Sequence, residues 1–355
     1  MASAITSAFN FNQEELKDIS AIIGERFYTN PAIAQLHDVE TDIKYNKQIV
    51  FAGKKGLVSK AMTGCTPNQI TGITLTEKTW TPVDHDFRLP HCSADVNAQD
   101  KLLRQFARMN PDFYNVLEGS NSPVGNFLIA FVEDALMQDL LWKIWHSDTT
   151  ADTIANSGDF TNGTDVDLIN TFDGLWKQLE TAVASEGLER VEISENAEAT
   201  YADQTLPANG GLAILREMYE KADSRLIADP NKKLMVTRSI YDNLLTTYEE
   251  KESNGGLLTR LENGSGIAFR GIEVVNMATL WDVFIDAYLN SGTAYHNPNR
   301  ALLTIPANIP VGTVNENDFV TLDAFYDKKD KTNFVDAAFN LDAKFLESYL
   351  AVVAY

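Results

Sequence analysis

Cysteine is nearly missing from this chain: Cys65 and Cys92 are the only two in 355 residues. Two thiols cannot build the disulfide framework of a small secreted domain, and a chain this long can bury a core without one. Long apolar runs are missing too. The longest, Phe127 to Val132 and Tyr349 to Tyr355, fall far short of the roughly 20 residues that a membrane-spanning helix needs. The first residues, MASAITSAFNFNQEEL, lack the basic start and apolar stretch of a secretory signal. Positive charge is scarce, with 29 Lys and Arg against 50 Asp and Glu and a net charge of -21. A protein that grips phosphates needs a basic stripe, and none is visible. Catalytic signatures are missing as well: no G-x-S-x-G, no H-E-x-x-H, no Walker A loop and no G-x-G-x-x-G after a strand. Gly264-Ser265-Gly266 is too short for a nucleophile elbow. What remains is an acidic folded protein, expected to be made in a cytoplasm and not to enter a membrane.

Two weak metal patterns lead to the same expectation of no cofactor. His85, His91 and Cys92, with distant Cys65, lack any Cys-x-x-Cys spacing, and the adjacent His91 and Cys92 are poorly placed to share one ion. Free thiols are the expected reading. Asp159-Phe160-Thr161-Asn162-Gly163 echoes a calcium loop but lacks its closing glutamate, so a turn is expected.

Apolar residues make up 44% and aromatics 10%, enough for a core, and the length suggests about two domains. The charge is uneven. Residues 1–60 carry seven acids and seven bases, whereas residues 151–310 carry twenty-four acids and twelve bases. Leu16, Ile19, Ile23 and Phe27 recur at helical spacing after Asn12, with Glu15 as a capping-box acid. Between Lys44 and Glu77 there is no acid, while Lys44, Lys47, Lys54, Lys55 and Lys60 cluster. Short strand candidates (49–51, 57–58, 73–75, 79–81) are separated there by glycines, which reads as an extended β-hairpin with a positive flank. Residues 95–109 suggest a helix. Ser122-Pro123 opens a stronger one that runs to about His146, roughly 37 Å at 1.5 Å per residue. Glu133, Asp134, Asp139 and Lys143 are expected to keep part of it wet.

Residues 148–163 read as a domain boundary. Helices are predicted over 168–184, 211–222 and 240–250, and strands over 233–237, 267–269 and 272–275, with Arg270-Gly271 as a turn. Together they form a compact α/β unit. In the last stretch, Phe319 to Tyr326 is a strand candidate and Asp327 to Thr332 a charged turn. Val335, Ala337, Phe339, Leu341 and Ala343 then alternate with Asp336, Asn340, Asp342 and Lys344, the mark of a strand buried on one side. An apolar ending, Tyr349 to Tyr355, has to pack on its own domain or on a neighbouring subunit.

His296-Asn297-Pro298-Asn299-Arg300-Ala301-Leu302-Leu303-Thr304, then Val311-Gly312-Thr313 and Asp318 through Phe339, resemble in order and spacing the C-terminal part of tailed-phage major capsid proteins of the Hong Kong 97 type. The resemblance extends more loosely over most of the chain. It implies an α+β fold in five parts: an N-terminal arm (1–42), an extended β-hairpin loop (43–87), a peripheral domain (88–149) with a long spine helix (122–146), an axial α/β domain (150–305), and a return of 306–355 to the peripheral domain. The implied function is a non-enzymatic major capsid protein, assembling as pentamers and hexamers into an icosahedral phage head. Its implied location is the virion, assembled in the host cytoplasm.

The resemblance further implies inter-subunit contacts through Leu16, Ile19, Ile23, Phe27, Lys54, Lys55, Lys60, Phe339 and Tyr355. A basic loop would meet an acidic domain on the next subunit. The start at Met1 with a helix close behind suggests a separate scaffold protein. Portal or decoration proteins, and packaged DNA held non-specifically at the inner face, are the other implied partners. Some members join a loop lysine to a neighbour's asparagine. Lys54, Lys55 or Lys60 with Asn333 or Asn340, and Asp336 or Asp342 as base, are the right residue types, though no catalytic role is assigned. An encapsulin-like compartment is the alternative on the same fold. An acidic α/β enzyme of unrecognised type is the alternative of another class.

Overall fold

The structure, a computed structural model, describes residues 13–49, 78–92, 123–250, 258–260, 266–314, 320–327 and 332–355. Among these its helices are α1 (Gln13–Thr29), α2 (Pro31–Ala34), α3 (Pro123–His146), α4 (Leu175–Ser185), α5 (Gly210–Lys221), α6 (Ser224–Ala228), α7 (Arg238–Glu250) and α8 (Asp282–Tyr288). Its strands are β1 (Val39–Glu40), β2 (Val83–Cys92), β3 (Glu189–Val191), β4 (Lys233–Val236), β5 (Leu258–Arg260), β6 (Ile267–Phe269), β7 (Ile272–Asn276), β8 (Ala301–Thr304), β9 (Val311–Gly312), β10 (Val320–Asp327), β11 (Thr332–Ala343) and β12 (Ala351–Ala354). The chain forms two compact units, each assembled from three separate stretches. One comprises Met1–Ile43, Pro82–Trp145 and Val311–Asp342. The other comprises Lys44–Thr81, His146–Pro310 and Ala343–Tyr355.

In the first unit β10, β11 and β2 are antiparallel neighbours, and the sheet continues through β9 to β1. Alternation along β11 buries Ala337, Phe339 and Leu341 on one face. The polar face is not uniformly wet. Asp342 is fully buried. Helix α1 lies against β10, burying Ile23 and Phe27, and the Ser20 hydroxyl donates to the Val320 carbonyl. In α3, Leu136, Leu140 and Ile144 fall four residues apart and are buried, with Trp145 beside them, whereas Ala135 is exposed. Glu133 corrects the wet-face expectation. It is buried and held 2.8 Å from Arg26 of α1, and burial raises its carboxyl pKa.

The second unit is built on a mixed seven-stranded sheet of order β3-β12-β8-β4-β7-β6-β5. β4 and β7 run parallel, with α7 in the connection between them. β6 and β7 are joined by Arg270-Gly271, both at positive φ, the conformation that a two-residue hairpin turn needs. Leu234 and Val236 of β4, Leu303 of β8 and Val352 of β12 form one core with Leu215 and Met218 of α5 and Ile240 and Leu244 of α7. Burial of such side chains stabilises by roughly 1.5–3 kcal/mol each.

Two expectations are corrected here. The helix predicted from residue 168 starts at Leu175. Residues 166–168 form a short 3-10 turn and Gly174 takes the N-cap position, so the segment before it is turn-rich. The expected return of 306–355 to the long-helix unit is divided. Residues 311–342 lie in that unit, but 343–355 belong to the second, where β12 is paired with both β3 and β8. The apolar ending thus packs in its own sheet. Its four strand residues offer a central, two-sided partner, which is what continuous apolar runs favour.

Candidate functional site

The contact residues expected from the sequence fall into two groups. Ile23, Phe27, Phe339 and Tyr355 are at most 9% exposed and pack as core side chains within the single chain. Tyr355 packs edge-on to Trp176 and carries the Arg190 guanidinium 4.1 Å over its ring. Leu16 and Ile19 lie on α1, but their side chains are outside the described residues, as are Lys54, Lys55, Lys60 and Cys65.

The stem of the basic segment is described. Gln48 bridges Thr79 in antiparallel fashion, and Asn46 and Ile49 donate to the carbonyls of Trp80 and Lys78. Residues 46–49 and 78–80, on either side of the basic segment, are therefore adjacent and hydrogen-bonded to each other. Beside this stem Tyr45 is 70% exposed, and Lys78 pairs with Glu186 at 3.0 Å.

Of the lysine–asparagine chemistry, the structure describes the two proposed bases and Asn340, half-buried on β11 opposite Asp84; Asn333 lies on the same strand with its side chain outside the described residues, as are the loop lysines. Asp336 stands opposite Arg88 in the β11–β2 register, and its two oxygens accept from Arg88 Nε and Nη2 at 2.8 and 2.5 Å. That fork occupies Asp336, and Asp342 is buried. Neither is an open general base. Among the described residues no group of three His, Cys, Asp or Glu side chains could hold a metal ion. No helix among them is long and apolar enough to cross a membrane.

Sequence reasoning missed a buried carboxamide network in the second unit. Asn196 and Asn299 exchange two hydrogen bonds, Nδ2 to the Asn299 carbonyl at 2.8 Å and the Asn299 amide to Oδ1 at 2.9 Å. Asn299 Nδ2 donates to the Gln204 carbonyl at 3.0 Å. Gln204 donates to the Tyr295 carbonyl at 2.7 Å and accepts from the Tyr295 amide at 2.9 Å. Residues 194–205, with little regular structure, are thereby pinned to 295–299. Asn and Gln are common on surfaces, so nothing local marks these three as buried. The Asn-Pro-Asn-Arg run was the only signal.

Two concave features lie in the same unit. One is a cavity of about 50 Å³ around Arg300, His296, Glu180 and Asp159, room for a water or two and not for an organic substrate. The other is an open groove of about 440 Å³ lined by Arg238, Ala278, Asp282, Val283, Tyr295 and Pro298. Val283 is 46% exposed there. Asp282 accepts from the Arg238 amide at 3.0 Å, at the start of α7, and burial pushes its carboxyl up to about 6.

No family model matches the chain, and no curated relative is found from its sequence. Solved structures do match. A chain of the satellite phage P4 procapsid that includes the size determination protein aligns with TM-score 0.50 and 9% identity, covering 97% of this chain and 98% of that one. The capsid of the native GTA particle aligns with TM-score 0.50 and 10% identity, covering 91% and 89%. The holo-SrpI encapsulin complex of Synechococcus elongatus aligns with TM-score 0.45 and 10% identity, covering 93% and 88%. At such identities the likeness is one of fold, and the chain has the mixed α+β fold of phage capsid subunits.

Proposed function

We propose that this chain is a major capsid protein of the Hong Kong 97 type, a non-enzymatic subunit that closes into an icosahedral phage head through pentamers and hexamers. One observation carries the reading. The fold of a procapsid chain is reproduced over nearly the full length of both chains, 97% of this one and 98% of the other. A likeness that spans both units leaves little of the chain for an unrelated activity. On this reading the unit holding α3 is the peripheral domain and the acidic unit on the seven-stranded sheet is the axial one. The α1 arm, with Leu16 and Ile19, and the loop carrying Lys54, Lys55 and Lys60 reach neighbouring subunits. Tyr45, Leu168 and Val283, at 70%, 63% and 46%, are the most exposed large apolar side chains among the described residues, and association would cover them. The net charge of -21 suits contact with packaged DNA that is weak and non-specific. Scaffold, portal and decoration proteins would be separate chains.

The test is the particle mass of the purified protein by light scattering, alone and co-expressed with the products of neighbouring genes. Closed megadalton shells are expected. A monomer under every condition, including co-expression, would refute the reading. Shells purified with an enzyme inside and no portal would assign the same fold to a storage compartment instead.

A further inference from the structure

Arg300 is 3% exposed at the start of β8. Its Nε donates to the Asn297 carbonyl at 2.8 Å, and its guanidinium lies 5.0 Å from the Trp176 ring. It opens on the small cavity already described, which is also lined by His146, Asp148, Asp159, Lys177, Glu180 and His296. A buried guanidinium needs its charge balanced. Asp148 is engaged by Lys177 at 2.9 Å, so Glu180 and Asp159 balance Arg300.

His296 sits beside this centre with its side chain 37% exposed. The Asn297 side-chain amide donates to its Nε2 at 3.1 Å, which requires Nε2 to carry a lone pair. The ring proton is then on Nδ1, 3.2 Å from Asp159 Oδ1. The same place joins two segments. Thr161 donates its amide to the Tyr288 carbonyl at 2.7 Å and its hydroxyl to the Asn290 carbonyl at 3.0 Å, and accepts from the Asn290 amide at 3.0 Å.

We propose that His296 is an acid-operated catch between residues 148–164 and residues 288–300: a proton added at Nε2 meets an amide donor, sets a second cation beside buried Arg300, and frees the first segment. The groups facing it act as follows. Burial, and then Arg300, lower the His296 pKa, while Asp159 partly opposes them. Burial holds His146, stacked on Phe284 at 4.1 Å, neutral well below its usual range, so it follows His296 only at lower pH. Both are depressed, so the closed form is favoured above pH about 6.5 and loses that advantage as pH falls. Glu180 titrates in the opposite sense, since burial raises its carboxyl, and it shallows the response. Asp148 stays charged, held below its usual range by Lys177 and Thr150 against the effect of burial. Burial keeps the Tyr355 phenol protonated.

The experiment is hydrogen exchange read by peptide mass spectrometry at pH 7.5 and pH 5, corrected for intrinsic rates. It needs only folded protein, so it reads out whether or not shells form. Exchange in residues 148–164 and 288–300 is expected to rise about tenfold at pH 5 while β4 stays protected. H296Q is expected to hold the rise below about threefold. R300M, which removes the fixed cation, is expected to do the same and serves if H296Q does not fold. The proposal is overturned if wild type shows no rise, if the rise spreads equally to β4, or if it survives either substitution in a folded variant.

Discussion

His85 in β2 should make the first unit acid-sensitive by an amount that its surroundings set. It is 6% exposed and its ring stacks on Phe339 at 4.9 Å, the two rings nearly parallel. Lys143 sits 5.7 Å from the other partner of that stack, the Phe339 ring. Its Nδ1 donates to the Val83 carbonyl at 3.0 Å. Burial, and then the charge of Lys143, lower its pKa to about 4 from 6.5. The folded state therefore binds fewer protons than the unfolded state between these values. The stability associated with the neutral ring is fully present above pH about 6.5 and is lost as pH falls through about 4. A shift of that size corresponds to about 3 kcal/mol at 1.36 kcal/mol per pH unit. The perturbation is H85F, which keeps an aromatic ring against Phe339 and cannot titrate. It leaves the Val83 carbonyl without its donor, a cost of about 1 kcal/mol at every pH. The assay is urea unfolding of dispersed subunits at pH 7.5 and pH 4. Wild type should lose about 2–3 kcal/mol more than H85F between the two pH values. Equal losses in the two proteins would refute the reasoning, because only a titrating side chain can make the difference depend on pH.

Three further outcomes follow from the second unit. D282N keeps an acceptor for the Arg238 amide without the buried charge. Since burial raises the Asp282 pKa from 3.8 to about 6, wild type loses stability as pH rises between those values, and the stability of D282N relative to wild type should grow by about 2 kcal/mol between pH 4 and pH 7.5. N299A keeps both Asn196 bonds, which use the Asn299 backbone, but leaves the buried Gln204 carbonyl without its Nδ2 donor and should cost about 1–3 kcal/mol in chemical unfolding. G271A places a side chain at φ +79 in the β6–β7 turn, where space is free, so thermal unfolding should report a loss of only about 1 kcal/mol.

The legible parts of the fold were those in which each residue's local pattern already decides its environment. Val320–Asp327 and Thr332–Ala343 carry β-branched and aromatic residues in a period of two, and Arg270-Gly271 supplies the turn chemistry between two short apolar runs. The helix at Gly210–Lys221 is equally plain from its apolar spacing. What failed was information held between distant residues. Nothing in Ala351-Val352-Val353-Ala354 says that it will lie between β3 and β8, because an apolar run specifies burial and not a partner. Glu133 reads as a surface acid until α1 brings Arg26 against it. The helix misplaced at 168 shows apolar spacing overruled by Asn170, Asp173 and Gly174, whose side-chain and backbone preferences favour turns. Of the candidate site, the loop lysines were read from charge alone. The carboxamide network and the Arg300 cavity arise only from tertiary pairing across about one hundred residues.

The central claim, that this fold serves a closed shell, is tested most directly by native mass spectrometry of the assembled protein with imaging of the same fraction. With a subunit of 39.4 kDa, rings of five and six copies at about 200 and about 240 kDa, and closed icosahedral particles built from them, are the predicted result. A protein that stays monomeric at all salt concentrations, and remains so when co-expressed with a scaffold, would contradict it.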